Sequence, residues 1–490
     1  MTSSLSTQEQ ALIPAIEQWI EQHREQLIED LASWIEIPSI SRADRGVEGA
    51  PFGAECQQIL ERALTLAQQA GFTTENHQGY AGSVIYGNHA KDIGLIGHLD
   101  VVPPGDNWLY PPFTLTRKGE FVIGRGVADN KGPAIADLYL LKLIRDLNIP
   151  LSHNLRIVYG LAEETNMADL AWYSQHGPVP EVSIVTDGRF PVNNAQKGQI
   201  TLHLAAPVSP LLANFSAGIA SNSVPERASI ELPDGDFSAV NERIATLSGL
   251  SAGRLTAEPL TSGLRLNAEG IAGHAAFPEG TLSAVRVLFS ALLELKLVND
   301  HDRPLITFFE RFLRSPFGEQ AGIAFADEES GKLTFNAGIW SGDAAKNTLN
   351  ITLDIRYPVL TGAEQVLAAL QETVAPQGIT LTSWRDVPPF YLPVDDRRIQ
   401  LLQQTWNDLS GRADKPYAMG GVTHSKVLPR AITFGPGYAR TPETSPDFLP
   451  AGHGLPHGAD EVVHIPSLLA ALPVYVIALI RLDRWLQSQS

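Results

Sequence analysis

Five short segments of the 490-residue chain carry residue types able to do acid–base or metal chemistry. Gly97-His98-Leu99-Asp100-Val101-Val102-Pro103 closes an apolar run. Residues two apart on a strand share a face, so His98 and Asp100 can pair, and a carboxylate behind an imidazole fixes its tautomer and strengthens it as a ligand. Gly124-Arg125-Gly126-Val127-Ala128-Asp129-Asn130-Lys131-Gly132-Pro133 precedes a helical pattern, which sets Asp129 near a helix N-terminus beside glycines that admit close backbone approach. Ala162-Glu163-Glu164-Thr165 offers adjacent acids, suited to a division of labour in which one binds metal and the other takes a proton from an activated water. Thr186-Asp187-Gly188-Arg189-Phe190-Pro191 adds an aspartate after the apolar run Val182 to Val185. Gly454-Leu455-Pro456-His457-Gly458-Ala459-Asp460-Glu461 adds a histidine in a Gly/Pro-rich loop.

Each segment alone has a plainer reading. Asp129 could simply cap its helix, Asp187-Gly188 could be a turn, a Glu-Glu pair is commonly solvated surface, and His453 and His464 compete with His457. Together the segments supply His, Asp, Glu, Asp and His, four of them at or just after the ends of expected strands. That makes two imidazole-plus-carboxylate sites able to share one bridging carboxylate, the composition expected for paired zinc ions about 3.5–4 Å apart.

The elements that must position these residues follow from periodicity. From Thr7 to Ile37 apolar residues recur mostly at helical spacing, predicting two amphipathic helices, and a third runs from about Glu55 to Ala70, stopped by Gly71. Strands are expected at Val84 to Tyr86, Ile93 to Ile96 and Leu155 to Leu161, with a helix at Pro133 to Leu147. Short apolar strands alternating with amphipathic helices define an α/β fold whose sheet is covered on both faces, with sites gathering at strand ends. After Asn193 the style changes to strands at Thr201 to Ala206, Ala228 to Leu232, Leu264 to Ile271 and Leu349 to Tyr357. Helices resume at Leu282 to Val298 and Ala363 to Thr373, an α+β insertion. The α/β character returns past Val387, through Ile399 to Leu409, Ala431 to Phe434 and a last helix. The expected division is 1–193, 194–386 and 387–490, with the outer segments forming one discontinuous domain.

With 36 basic and 54 acidic side chains the net charge is −18, and no basic block is present, which argues against a nucleic-acid partner. A single cysteine, Cys56, excludes an intrachain disulfide and points to a reducing compartment, expected to be the cytoplasm; the first residues show no secretory pattern. The apolar stretch Leu468 to Leu482 is interrupted by Pro473 and Arg481 and is shorter than the roughly 20 residues of a membrane span, so it reads as a buried terminal helix.

The ordered motifs, spread from Ile37 to Glu461, closely resemble those of the co-catalytic dizinc peptidase and deacylase superfamily that includes aminoacylase, acetylornithine deacetylase, succinyl-diaminopimelate desuccinylase and the PepV-type dipeptidases. The resemblance implies a zinc-peptidase catalytic domain with an inserted lid. It implies His98, Asp129, Glu164, Asp187 and His457 as ligands of two zinc ions, with manganese or cobalt as alternatives. It also implies Asp129 as the bridge, Asp100 as the residue orienting His98, and Glu163 as general base. His457 is selected because His457-x-x-Asp460-Glu461 fits the family pattern and His453 does not.

In the lid, Gly270-Ile271-Ala272-Gly273-His274 resembles the segment whose histidine polarises the scissile carbonyl. Asn222 in Asn-Ser-Val-Pro and Arg356 in Asp-Ile-Arg-Tyr-Pro resemble substrate-holding positions. The chain departs from the family at Ala275-Ala276-Phe277, and at Gly420-Gly421-Val422-Thr423-His424-Ser425-Lys426, where relatives tend to have Gly-Gly-Gly-Thr-Tyr-Ala-Arg. Lys426 can replace that arginine as a point charge but not as a bidentate fork. The expected activity is hydrolysis of dipeptides or small peptides, the alternatives being an N-acyl amino acid deacylase and a binding protein that kept the fold without the chemistry. The size of the insertion predicts a two-lobed lid and hence a monomer, with a homodimer as the alternative.

Overall fold

In the computed structural model, which describes residues 5–233, 235–244, 247, 253–450 and 452–489, the apolar run before His98 forms the strand Asp92–His98, buried at every residue after the first. A strand buried on both faces needs neighbours on both edges and cover above and below. The sheet runs in the order Thr73–His77, Ala81–Tyr86, Asn154–Gly160, Asp92–His98, Val182–Val185, Ala431–Thr433. The last four strands pair parallel, and Ala81–Tyr86 is antiparallel to both its neighbours. In register, His98 stands opposite Gly160 and Ile96 opposite Val185. The carboxyl ends of three strands are therefore level, and the loops carrying Asp100, Glu163, Glu164 and Asp187 leave from one edge of the sheet.

Helices cover both faces. Gly82 and Tyr159 are cross-strand partners on one face. A Cβ at Gly82 would strike Leu60 and Leu64 of the helix Ala54–Gln69, and the Tyr159 hydroxyl donates to Ala134 O in the helix Lys131–Asp146 (2.9 Å). On the other face Ala81, Ile96, Val158 and Val185 form one cluster with Leu170 and Tyr173 of the helix Ala168–His176. The fold class is α/β, as the periodicity predicts.

Two helical expectations are corrected. Thr7–Ile35 is one helix of 29 residues, opened by a reciprocal Ser6/Glu9 capping box and continuing through Pro14. The terminal stretch is buried as expected but longer than the reading from Leu468 to Leu482 allowed: Ile465–Gln487 has 23 residues, and its most apolar window has a mean hydropathy of 2.0 and is 72% buried inside the protein. The stretch is divided at Ala470 into the helices Ile465–Leu469 and Ala471–Gln487, and Pro473 is tolerated in the first turn of the second, where no intrahelical N–H is required. Arg481 is not a solvated break, since it pairs with Glu9 (3.0 Å) and Asp408 (2.8 Å).

By contacts the chain forms two units, one of Met1–Asn194, Leu392–Tyr417 and Val422–Ser490, the other of Ala195–Tyr391 with Ala418–Gly421. The second unit holds an eight-stranded antiparallel sheet ordered Arg254–Pro259, Leu264–Glu269, Arg227–Leu232, Ser216–Ala217, Thr334–Asp343, Thr348–Tyr357, Gly198–Pro207, Thr380–Val387. Along Gly198–Pro207, Ile200, Leu202, Leu204 and Ala206 alternate into one core shared with the helices Ala284–Glu294, Arg303–Phe312 and Ala363–Val374. The two expected lobes are thus halves of one sheet with one core, joined through the two-residue strand Ser216–Ala217.

Candidate metal centre

The strand ends deliver the acids and imidazoles to two overlapping donor groups. His98, Asp129 and Asp187 form one, and Asp129, Glu164 and His457 the other, with the donor atoms of each group within 4.8 Å of one another. Asp129 belongs to both. Its Oδ1 lies 3.1 Å from His98 Nε2 and its Oδ2 lies 3.2 Å from His457 Nε2. His98 Nε2 is 3.8 Å from Asp187 Oδ2, and His457 Nε2 is 3.0 Å from Glu164 Oε2. Glu163 belongs to neither group.

His98 is fully buried, and its Nδ1 lies 3.0 Å from the backbone carbonyl of Asp100. A carbonyl only accepts, so Nδ1 carries the hydrogen and Nε2 is the nitrogen left to face a cation. The expected pairing with the Asp100 side chain is looser, at 3.3 Å from Oδ1, because the strand stops at His98 and the two-residue alternation does not extend to Asp100. The Asp100 carboxylate is instead occupied by the next loop: Glu163 N–H donates to Oδ1 and Glu164 N–H to Oδ2, both at 3.1 Å. One buried aspartate thereby ties the first histidine's strand to the glutamate pair.

Two further residues that sequence reasoning did not assign hold the donors. Asn130 is buried; its Oδ1 accepts from His98 N–H (3.2 Å), while its Nδ2 donates to Thr186 O (2.9 Å) and Asp187 Oδ1 (3.2 Å). Glu461 is buried and accepts from the backbone N–H groups of Gly126 (3.1 Å), Ala128 (2.8 Å) and Asp129 (3.0 Å). It also accepts from Arg125 Nη1 (2.6 Å), and Arg125 Nη2 in turn donates to His457 O (3.2 Å). The only signal for either residue was its place inside a motif. Glu461→Ala would leave Arg125 a buried, unpaired cation and is expected to lower unfolding stability by about 3–5 kcal/mol, measurable by denaturant unfolding of the metal-free protein.

The electrostatics describe a site made for positive charge. Burial and the neighbouring Asp187 push the Glu163 carboxyl well above the usual range. Burial together with Asp129 raises Glu164 to about 7, and burial raises Asp187 to about 6. Burial opposes charging of His457, but hydrogen bonds to Asp129 and Glu164 outweigh it and lift the imidazole to about 11. Four crowded carboxyls and two imidazoles using N and O donors are a set that fits two divalent cations sharing Asp129.

His274, Asn222 and Arg356 lie in the second unit. His274 bridges Ser223, its Nδ1 accepts from Ala276 N–H (3.0 Å), and Ala275 N–H donates to Asn222 O (2.8 Å), so these two expected substrate residues are neighbours. Arg356 is buried in a bidentate pair with Asp354 (2.6 and 3.1 Å) and donates to Gly420 O (3.1 Å). Lys426 is half-buried in the short turn of 3-10 helix His424–Lys426 of the first unit.

The fold and donor set together are those of a metal-dependent hydrolase. The chain belongs to peptidase family M20/M25/M40, whose description matches residues 94–480. The protein YtjP of Bacillus subtilis (strain 168) is 29% identical over 472 residues, covering 94% of this chain and 98% of its own. The Beta-Ala-Xaa dipeptidase of Lactobacillus delbrueckii subsp. lactis is 26% identical over 479 residues, covering 95% and 97%. Among solved structures, human carnosine dipeptidase 1 superposes with a TM-score of 0.54 at 15% identity, covering 96% of this chain and 99% of its own.

Proposed function

We propose that the protein is a dizinc dipeptidase in which Glu163 is the general base. The observation that carries this reading is an Asp129 shared by two three-residue donor groups, with the half-buried Glu163 standing beside them in neither. The relatives named for dipeptides favour dipeptides over N-acyl amino acids, the alternative substrate class. His98, Asp129 and Asp187 would hold one ion, and Asp129, Glu164 and His457 the other. When bound, such a pair supplies an acidified water and a Lewis acid for the carbonyl oxygen.

The chain's own residues do the rest. Glu163 accepts a proton from the attacking water and returns it to the leaving amine. Asp100 holds Glu163 in place through its backbone N–H. We assign His274 to polarising the scissile carbonyl, and Asn222 and Lys426 to holding the substrate. We assign Arg356 to holding the substrate as well: Asp354 and Gly420 O take three of its five N–H donors and fix the guanidinium, leaving two to donate. Monomeric, cytoplasmic protein belongs to the same proposal; a stable dimer by solution mass would remove the first part of it.

The test is metal removal and a substrate panel. Chelation should abolish dipeptide cleavage, and zinc, manganese or cobalt should restore it, since N/O sites accept all three. Cleavage confined to N-acetyl or N-succinyl amino acids would favour the deacylase instead. The gain in thermal midpoint on adding zinc should grow from pH 5 to pH 8. In the metal-free protein Glu164, at about 7, and Asp187, at about 6, still hold protons at pH 5, and those protons must leave before the carboxylates can ligate. A zinc-induced gain that stayed flat across this range would contradict the ligand assignment.

A further inference from the structure

The loop carrying Glu163 and Glu164 leaves the strand Asn154–Gly160 through four consecutive backbone N–H groups, and two buried aspartates accept from all four. Asp100 takes Glu163 and Glu164. Asp169 takes the other two: Leu161 N–H and Ala162 N–H donate to its Oδ2 at 2.7 and 2.8 Å. Asp169 lies five residues past Glu164, in the first turn of the helix Ala168–His176, and is fully buried. No role assigned above accounts for it.

A buried carboxylate is stable only when paired and hydrogen-bonded. Asp169 Oδ1 accepts from Leu170 N–H (2.7 Å), and both its oxygens lie 3.2 Å from Nε2 of His424. His424 is also fully buried, and its Nδ1 has no hydrogen-bond partner among the described residues. Its ring stands edge-on to that of His98, with centroids 6.3 Å apart at 82°. Gly160, directly opposite His98 in the sheet, must lack a side chain, because a Cβ there would run into Asp169 Oδ2 and the His424 imidazole. A well-packed apolar pair would fill this space without an orphaned nitrogen and is commonly as stable or more so. What an apolar pair could not do is receive Leu161 N–H and Ala162 N–H at a fixed point.

We infer that the Asp169–His424 pair is a positioning device for the metal centre: it fixes the strand end at Leu161 and Ala162 and thereby sets where Glu163 and Glu164 stand relative to His98 and Asp129. The inference rests on the roles proposed above for Glu163 and Glu164. An error of about 1 Å in the placement of a reacting group costs on the order of 100-fold in rate.

The experiment uses the full chain and three variants, Asp169→Asn, His424→Leu and His424→Gln. In the last the Gln Nε2 can still donate where the imidazole Nε2 did. Zinc affinity is read by chelator competition, kcat and KM on a dipeptide, and folding by thermal midpoint. Asp169→Asn and His424→Leu should weaken zinc binding at one of the two sites by about 10- to 100-fold and lower kcat by a similar factor. KM should stay within about threefold, and His424→Gln should recover most of both losses.

Wild-type zinc affinity and kcat in a folded Asp169→Asn or His424→Leu protein would overturn the inference, and a lower thermal midpoint alone would show the pair to be structural only. Equal losses in the Leu and Gln variants would also count against it. If Asp169→Asn does not fold, the two His424 variants decide. If the wild-type protein binds zinc yet cleaves no dipeptide, the proposed function fails, and the zinc-affinity comparison still decides the positioning role.

Discussion

Glu163→Gln is expected to bind metal as the wild type does and to lose about 100- to 10,000-fold in kcat, the range a positioned acid–base group contributes. The substitution keeps the side chain's size and leaves Glu163 N–H free to donate to Asp100 Oδ1, so the loop should stay where it is. Neither donor group contains Glu163, so metal stoichiometry should not change. A general base acts in the transition state, so kcat and kcat/KM should fall together while KM holds. A second readout separates this from a damaged site. In the metal-free protein burial and Asp187 already disfavour a charged Glu163, and a neutral amide removes that repulsion. A group whose pKa is raised on folding costs stability as pH climbs through its folded value, so the metal-free variant should melt above the metal-free wild type at pH 8. Normal activity with normal metal content would remove Glu163 from the mechanism.

The parts of the fold written in local pattern were legible. Apolar runs such as Ile93 to Ile96 are too short for a buried helix and read as strands buried on both faces. Once these pair parallel, their carboxyl ends must lie on one edge, so Asp100, Glu163, Glu164 and Asp187 converge without further information. The long-range partners were not legible. Glu461 reaches back to Gly126, Ala128 and Asp129, and His424 to Asp169, across hundreds of residues that carry no periodic mark of the contact. Asn130 and Glu461 were visible as motif members, but nothing local says that an asparagine will bond two strands' loops at once. The strand Thr380–Val387 escaped because it is largely exposed, and Thr334–Asp343 because its buried start mixes Thr, Asn and Gly with the apolar residues; Arg303–Phe312 was missed although its apolar residues recur at helical spacing. The choice of His457 over His453 needed the family resemblance. In the structure His457 Nε2 lies 3.2 Å from Asp129 and 3.0 Å from Glu164, while His453 Nδ1 lies 2.6 Å from Asp460.

Asp129→Ala is expected to abolish activity and to bind less than one zinc per chain, where the proposed centre would bind two in the wild type. Each donor group has three members and they share only this carboxylate, one oxygen turned to His98 and the other to His457. Removing it leaves His98 with Asp187 on one side and Glu164 with His457 on the other, and two protein donors are fewer than the three a catalytic zinc site keeps. Asp187→Ala and His457→Ala each strip one group alone, so each should retain about one ion on the same reasoning. Folding should survive, because the backbone N–H of residue 129 still holds the loop on Glu461. The metal-free variant should melt somewhat below the metal-free wild type at neutral pH, because the carboxylate's pairing with His98 and His457 is lost, and added zinc should no longer raise its midpoint. One ion bound at wild-type affinity in Asp129→Ala would mean that the carboxylate serves a single site and that the other is complete without it. The two groups would then be independent, and the proposed centre with a shared ligand would lose its structural basis.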